Sequence, residues 1–258
     1  LDPSAVPGES VFDHDVYCIA GDGCMQEGVA SEASSLAATQ NLGNLFLFYD
    51  DNRISIEGDT KIAFSEDVQA RYAAYGWDTH HVDFTNGFTT YEEKVAELYD
   101  VIEKARQVKD KPHFIKVTTI IGWPLPNKAG DHSVHGSKLG GDEIGAMKEL
   151  LGFENTPFAI DDAVVAYTRQ NAADRAAEAK AEWEPRYQAW REANADGAKL
   201  LDRILAKEAP EGLDEALPVF EPGSLATRAA SGQVLNALAS AVPELWGGSA
   251  DLAGSNNT

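Results

Sequence analysis

Two apolar runs with a helical segment between them constrain the fold of this chain more than any other feature. DVYCIA spans 15–20, NLFLFYDD spans 44–51, and residues 27–40 carry small and apolar side chains at helical spacing. A strand, a helix and a second strand within about 30 residues are typical of a βαβ unit, whose strands run parallel. The pattern predicts that 15–20 is a central strand and that Cys18 is a small core residue.

The same alternation continues, and it predicts an α/β fold in which helices flank a parallel sheet. A helix is expected over 65–76, with Ser65 as its N-cap and Asp67 in its first turn. The other expected elements are strands at 77–83 and 113–121, helices at 89–108, 141–152, within 161–208 and at 225–242, and a strand that begins at 244–251.

Changes in composition suggest the domain organisation. A Gly- and Pro-rich loop fills 122–141, and Pro and Gly are again frequent in 208–223. The predicted domains are 1–195, a linker at 196–223, and the beginning of a second α/β domain at 224–258. Because LDPSAVPGES resembles a loop and has no initiator Met, we expect the sequence to be a piece of a longer protein.

The charge and cysteine content exclude several classes of protein. A formal net charge of −21 over 258 residues disfavours binding to nucleic acids or to anionic membranes. No apolar run approaches the ~18–20 residues that a membrane-spanning helix needs. The two cysteines, Cys18 and Cys24, are too few for a zinc site or a disulfide framework, and they suggest a reducing, cytoplasmic location.

Polar residues follow each of the first two predicted strands. Gly21, Asp22 and Gly23 end the first strand, and Asn52 follows the second. Parallel strands end at the same edge of a sheet, where ligands bind in open α/β folds, and the glycines permit close approach of a ligand. A carboxylate, an amide oxygen and a nearby carbonyl are hard ligands, so we expect Mg²⁺ that bridges the chain to a diphosphate. Two ordinary turns, or a metal-dependent phosphatase, are the alternatives from the residues alone.

The segment IAGDGCMQEGVASEASSLAATQNLGNLFLFYDDNRISIEG resembles the transketolase family, which binds thiamine diphosphate. Four later segments resemble it in the same order: RYAAYGWDTHHV, KPHFIKVTTIIGWPLPNKAGDHSVHG, the ATR of LATRAASGQVLNAL, and PELWGGSADLAGSN. The resemblance implies that Asp22, Asn52 and the carbonyl of Ile54 bind Mg²⁺, Ca²⁺ or Mn²⁺. It also implies that Gly21, Gly23, Asn52, His135, Glu27 and Asp251 lie along the cofactor.

The resemblance further implies a reaction and its substrates. Transketolases transfer a two-carbon ketol unit from a ketose phosphate to an aldose phosphate in the pentose phosphate pathway. His135 would contact both cofactor and substrate as the catalytic residue, and Arg228 and Ser255 would hold the sugar phosphate. The family binds its cofactor between the subunits of a homodimer, so activity would require segments outside this chain.

Alternatives to this activity stay open at the level of sequence. One is another thiamine-diphosphate enzyme, such as dihydroxyacetone synthase or 1-deoxyxylulose-phosphate synthase. The other is a non-catalytic fragment or one subunit of a split enzyme. The chain departs from the family pattern at Ser137-Lys138, Ala253-Gly254 and Asn257.

Overall fold

A computed structural model describes residues 9–258, which fall into two compact units. The boundary between the units lies between Trp183 and Glu184 in the sequence. The first unit contains β1 (Val16–Gly21), α1 (Asp22–Gln26), α2 (Gly28–Thr39), β2 (Leu45–Asp51), β3 (Ile54–Ser55), β4 (Gly58–Asp59), α3 (Val68–Tyr75), β5 (Asp78–Asp83), α4 (Val95–Ala105), β6 (His113–Thr118) and α5 (Gly141–Leu150). Then follow α6 (Asp162–Ala193), α7 (Ala195–Ala206), α8 (Leu213–Ala216), α9 (Thr227–Ala241) and α10 (Ala253–Asn256). Among residues 9–258, no helix has the length and apolar character that crossing a membrane requires.

The first unit is built on a four-stranded parallel sheet in the order β1-β2-β6-β5. In the register, Gly21 is opposite Asp50, and Asp51 is opposite Thr118. A short antiparallel pair, β3 and β4, follows β2 directly. The predicted α/β fold with a parallel sheet is therefore confirmed, and the strands β1, β2 and β6 end at one shared edge.

Alternate side chains of the strands face two separate apolar clusters. Tyr49 and Phe114 belong to a cluster with side chains of α2 and α3, whereas Phe46 and Ile115 belong to a cluster with side chains of α4. Successive strand residues point to opposite faces of a sheet, so helices cover both faces of β2 and β6. This layering explains why the sequence of these strands is apolar almost without interruption.

The position of β1 differs from the prediction. The strand forms, but it lies at an edge of the sheet, and Ile19 is 83% exposed. Cys18 is exposed and is not a core residue. The apolar pattern identified the strand correctly, but a central position requires partners on both sides, and only β2 pairs with β1 among the described residues.

Two helices begin later than the sequence predicts. The N-cap of α3 is Asp67, whose carboxylate accepts a 3.0 Å hydrogen bond from the Ala70 amide, so the assignment of Ser65 was wrong. The helix predicted at 89–108 begins only at Val95. Asp83 accepts hydrogen bonds from the amides of Thr85 and Gly87. These bonds hold the chain that follows Asp83 in a loop, so the helix starts later.

The second unit is helical in the residues that the structure describes. Arg191 in α6 pairs with Asp202 in α7 at 2.7 Å, and α8 and α9 follow. The strand predicted at 244–251 does not form. A strand needs a neighbour to accept and donate its backbone hydrogen bonds, and this unit offers 244–251 none within 184–258.

Replacing Asp78 by asparagine is expected to destabilise the fold at neutral pH. The Asp78 carboxylate lies 2.8 Å from His80 Nε2 and 3.1 Å from Nδ1 of the fully buried His113. Burial alone would raise the pKa of Asp78, but these two hydrogen bonds outweigh it and hold the pKa below its usual range. Hydrogen bonds to a charged group contribute about 1.5–3 kcal/mol, and the variant should lose an amount of that order at pH 7.

The sign of the pH dependence follows from the depressed pKa of Asp78. The stabilisation is present above the unfolded-state pKa of about 3.9 and is lost as the pH falls through the lower folded-state value. Urea unfolding at pH 7 and then between pH 5 and pH 3 should therefore show the gap between wild type and Asp78→Asn narrowing in acid. The same replacement at the exposed loop residue Asp110 is the control, and an equal loss there would contradict the prediction.

Candidate functional site

A cavity of about 680 Å³ lies at the carboxyl edge of the sheet. Its volume is within the range of small-molecule sites, about 300–1,000 Å³. The cavity is lined by the ends of β1 and β2, by α1, by β3 and by the adjoining loops. The lining residues are Gly21, Asp22, Gly23, Cys24, Gln26, Glu27, Asp50, Asn52, Ile54, Ser55, Ile56, Glu57, Ile121 and His135. The cavity therefore brings together seven of the ten predicted site residues.

Asp22 is the buried carboxylate of this cavity, with 3% of its surface exposed. Its Oδ1 accepts a 2.7 Å hydrogen bond from the Tyr49 hydroxyl, and its Oδ2 accepts a 3.0 Å bond from the Arg53 amide. Burial raises the pKa of Asp22, the Tyr49 hydrogen bond opposes that rise, and the nearby Asp51 charge adds to it. No ion pair within residues 9–258 includes Asp22, so its charge lacks a protein counter-ion, as expected of a carboxylate that accommodates a metal cation.

Asn52 is held with its amide oxygen in a defined direction. Its Nδ2 donates to Asp50 Oδ2 at 3.3 Å, and its Oδ1 accepts from the Ile54 amide at 3.0 Å. A carboxylate can only accept and an amide N–H can only donate, so the two contacts independently assign the same orientation of the side chain. One lone pair of Oδ1 stays free for a further ligand.

Arg53 connects Asp22 to the turn that carries Ile54. Its φ of 63° is left-handed, a conformation that non-glycine residues rarely adopt. Its guanidinium lies 4.1 Å from the centre of the Phe88 ring, a cation–π contact, while its amide donates to Asp22. Strained residues of this kind cluster at functional sites, and nothing in the sequence pattern indicated this one.

Gly21, Gly23 and Glu27 line the cavity around the first turn after β1. A Cβ atom at Gly21 or Gly23 would meet nothing within 4 Å, so both backbones face open space. Glu27 is the N-cap of α2, and its exposed side chain makes no capping hydrogen bond. The side chain therefore does not act as a hydrogen-bonding cap of α2.

His135 reaches the same cavity from the long loop between β6 and α5. A turn of 3₁₀ helix spans His132–Val134, and the His135 amide donates to the His132 carbonyl at 3.0 Å. His135 is exposed, and His132 is not among the residues that line the cavity. Of the two loop histidines, His135 is the one that lies at the site.

A buried polar network behind Asp22 was not predicted from the sequence. Asp51 Oδ2 lies 2.9 Å from Lys116 Nζ and accepts from Thr118 Oγ1 at 3.1 Å. Burial, together with the hydrogen bond to Asp22 and the charges of both aspartates, raises the pKa of Tyr49, which therefore stays protonated at neutral pH. The period of β2 places Tyr49 and Asp51 on one face, a signal that could have indicated the network.

Within residues 9–258, no group of three or more His, Cys, Asp and Glu side chains is close enough to hold a metal ion. The predicted set contains a single carboxylate, with an amide oxygen and a carbonyl. Mg²⁺ is commonly bound through one or two carboxylates plus substrate phosphates. The residues at this edge therefore fit a cation whose coordination is completed by a diphosphate, and they do not fit an all-protein metal cage.

Comparison with known proteins shows which family the chain belongs to. A family model described as "Transketolase, thiamine diphosphate binding domain" matches residues 2–210. The chain belongs to the transketolase family. The resemblance that the sequence motifs indicated is therefore confirmed.

Relatives and solved structures agree with this family. A transketolase of Mycobacterium leprae is 51% identical over all of this chain, which covers 36% of that protein, and a chloroplastic transketolase of Zea mays is 46% identical over 98% of the chain and 37% of its own length. A Pichia stipitis transketolase complex with sedoheptulose-7-phosphate has a TM-score of 0.82 at 38% identity and covers 95% of this chain and 36% of that one. A Leishmania mexicana transketolase has a TM-score of 0.83 at 36% identity over 98% of this chain and 37% of that one. The chain spans about a third of the length of the relatives that it matches.

The three remaining predicted residues, Arg228, Asp251 and Ser255, lie in the second unit. All three are exposed. One contact links two of their segments: Asn257, directly after α10, donates from Nδ2 to the Arg228 carbonyl at 3.1 Å. The segment after α10 is thereby held against the start of α9, so Arg228 and Ser255 belong to one part of this unit.

Proposed function

We propose that the protein is a transketolase that transfers a two-carbon ketol unit from a ketose phosphate to an aldose phosphate. The observation that carries this proposal is that Asp22, Asn52, Ile54 and His135 line one cavity at the sheet edge, in a chain of the transketolase family. When bound there, thiamine diphosphate would supply the stabilised carbanion that cleavage and formation of the carbon–carbon bond require.

Asp22, the Asn52 amide oxygen and the Ile54 carbonyl would hold a divalent cation, Mg²⁺ or otherwise Ca²⁺ or Mn²⁺. The buried charge of Asp22, which has no ion-pair partner within residues 9–258, supports this role, as does the fixed orientation of Asn52. The cation would neutralise a diphosphate that the acidic chain otherwise repels. Gly21 and Gly23 would let the backbone approach the cofactor closely, and both face open space.

His135 would be the catalytic residue of this chain. Its exposed imidazole lines the cavity, and it can donate a hydrogen bond to a phosphate oxygen or a sugar hydroxyl and move a proton at that hydroxyl. Its position on a loop beside the diphosphate-binding edge would let it orient the donor while the cofactor is held by the rigid strand ends.

Other residues would act through a second subunit or through the second unit of the chain. Glu27, free of a capping role, would lie near the cofactor at the interface of a homodimer. Arg228 and Ser255 would hold the sugar phosphate, for which a guanidinium fork is well suited, and Asp251 would lie beside the cofactor. The same proposal includes a cytoplasmic location and a place in the pentose phosphate pathway. It also includes the domain limits 1–195, 196–223 and 224–258.

Ketol transfer by the complete natural protein tests the proposed function. Supplied with sedoheptulose 7-phosphate and an aldose phosphate acceptor, the protein should release a five-carbon aldose phosphate, because two of seven carbons leave the donor. The reaction should require both thiamine diphosphate and Mg²⁺ and should stop when EDTA removes the metal. Pyruvate-dependent synthesis in place of ketol transfer would instead indicate a deoxyxylulose-phosphate synthase, and no turnover with any donor would contradict an enzymatic role.

A further inference from the structure

Tyr49 contacts Asp22 from outside the candidate cofactor cavity. The tyrosine is 2% exposed and does not line the 680 Å³ cavity that contains Asn52 and His135. It lines a second, polar cavity of about 540 Å³, which also contains Asp22 and Asp51. Asp22 is thus common to both cavities, and Tyr49 can act on a bound cation only through that carboxylate.

The single proton of the Tyr49 hydroxyl goes to Asp22. The Tyr49 Oη lies 2.7 Å from Asp22 Oδ1 but 3.5 Å from Asp51 Oδ1. The other oxygen of Asp51 already has Lys116 at 2.9 Å and Thr118 at 3.1 Å. A hydroxyl has one donor, and the shorter contact marks its acceptor.

Two donors fix the Asp22 carboxylate and leave it able to bind a cation. Tyr49 occupies one acceptor position on Oδ1, and the Arg53 amide occupies one on Oδ2 at 3.0 Å. A carboxylate offers about four such positions, so at least one remains for a cation. With both oxygens tethered, the side chain loses its rotational freedom before any cation arrives.

We propose that Tyr49 is a positioning residue that orients the Asp22 carboxylate for its divalent cation. The inference rests on the proposed function, because it takes Asp22 as the metal ligand. Hydrogen-bond partners of metal ligands typically change metal affinity about 10- to 100-fold when they are removed. Tyr49 supplies that partner from β2, and Asp51 with Lys116 and Thr118 supplies the polar surroundings that keep its hydroxyl in place.

The test compares Tyr49→Phe with Tyr72→Phe in the complete natural protein. Tyr72 is a matched control: it is 1% exposed, lies in the same apolar cluster, and packs on Phe114 as Tyr49 does. Its hydroxyl bonds to Ser34 and Met25 and does not contact Asp22. Each variant deletes one buried hydroxyl and keeps the ring, so a loss of packing or folding affects both alike.

The measured quantity is the affinity for Mn²⁺ at a fixed concentration of thiamine diphosphate. The EPR signal of the free ion gives the concentration of unbound Mn²⁺ in each titration. We expect Tyr49→Phe to weaken Mn²⁺ binding about 10- to 100-fold and excess Mn²⁺ to restore ketol transfer, whereas Tyr72→Phe binds as wild type. Unchanged affinity in Tyr49→Phe, equal losses in both variants, or a Tyr49→Phe protein that does not fold would each overturn the inference in favour of a structural role.

Asp22→Asn separates failure of this inference from failure of the proposed function. If Asp22→Asn binds Mn²⁺ as tightly as wild type, the metal site itself is elsewhere and the proposed function loses its support. If Asp22→Asn abolishes binding while Tyr49→Phe leaves it unchanged, the metal site stands and only the role of Tyr49 is wrong.

Discussion

Replacement of Asp22 by alanine is expected to abolish the metal-dependent binding of thiamine diphosphate. Asp22 is the buried carboxylate at the candidate site, and no ion pair of residues 9–258 includes it. Without it, the predicted ligand set retains only the neutral oxygens of Asn52 and Ile54, which cannot offset the cost of dehydrating Mg²⁺. The affinity for the cofactor should fall by more than the ~100-fold that is typical when an indirect partner of a metal ligand is removed. Calorimetric titration of the complete protein with Mg²⁺ and thiamine diphosphate measures this affinity.

Asp67→Ala is the control for this experiment. Asp67 caps α3 through the Ala70 amide at 3.0 Å, and it does not line the cavity that contains Asn52 and His135. Its loss should lower the unfolding temperature without changing cofactor affinity. If Asp22→Ala retains wild-type affinity, or if Asp67→Ala loses as much, Asp22 is not the metal ligand.

Gly43→Ala is expected to cause a large loss of stability. A Cβ atom at Gly43 would lie 2.0 Å from the Lys109 carbonyl oxygen and 2.3 Å from its carbon. Both obstacles are backbone atoms, so the clash can be relieved only if the loops before β2 and β6 separate. The Gly43 carbonyl also lies 3.1 Å from Nε2 of the buried His113, so such a shift would break a buried hydrogen bond. Overpacking costs about 1–3 kcal/mol, and the broken bond should bring the loss to the upper end of that range or beyond.

Urea unfolding of the complete protein measures the effect of Gly43→Ala, with Gly141→Ala as the matched control. Gly141 is the first residue of α5, and a Cβ atom there would meet nothing within 4 Å. Alanine at Gly141 should leave the unfolding free energy unchanged or raise it slightly, because it restricts the unfolded chain. Similar midpoints for the two variants would show that the contact between Gly43 and Lys109 is not rigid.

Much of the candidate site could be predicted because its placement depends on local spacing. Asp22 and Asn52 each directly follow a parallel strand, so a βαβ unit brings them to one edge of the sheet. Their roles as ligands, like that of His135, came from the family motif and stay predictions. Tyr49 was missed because an apolar strand contains many aromatic residues, and the sequence does not indicate which hydroxyl meets a carboxylate.

The sequence by itself determined the four strands of the parallel sheet, most of the helices and the family, because hydrophobic periodicity and a motif are properties of short segments. The tertiary structure decided that β1 lies at an edge of the sheet within residues 9–258, that Asp67 caps α3, that α4 begins at Val95 and that 244–251 forms no strand. It also decided that Tyr49 and the Arg53 amide hold Asp22. These outcomes depend on which distant segments of the chain contact each other. The local pattern of apolar and polar residues does not determine the free energy of such contacts.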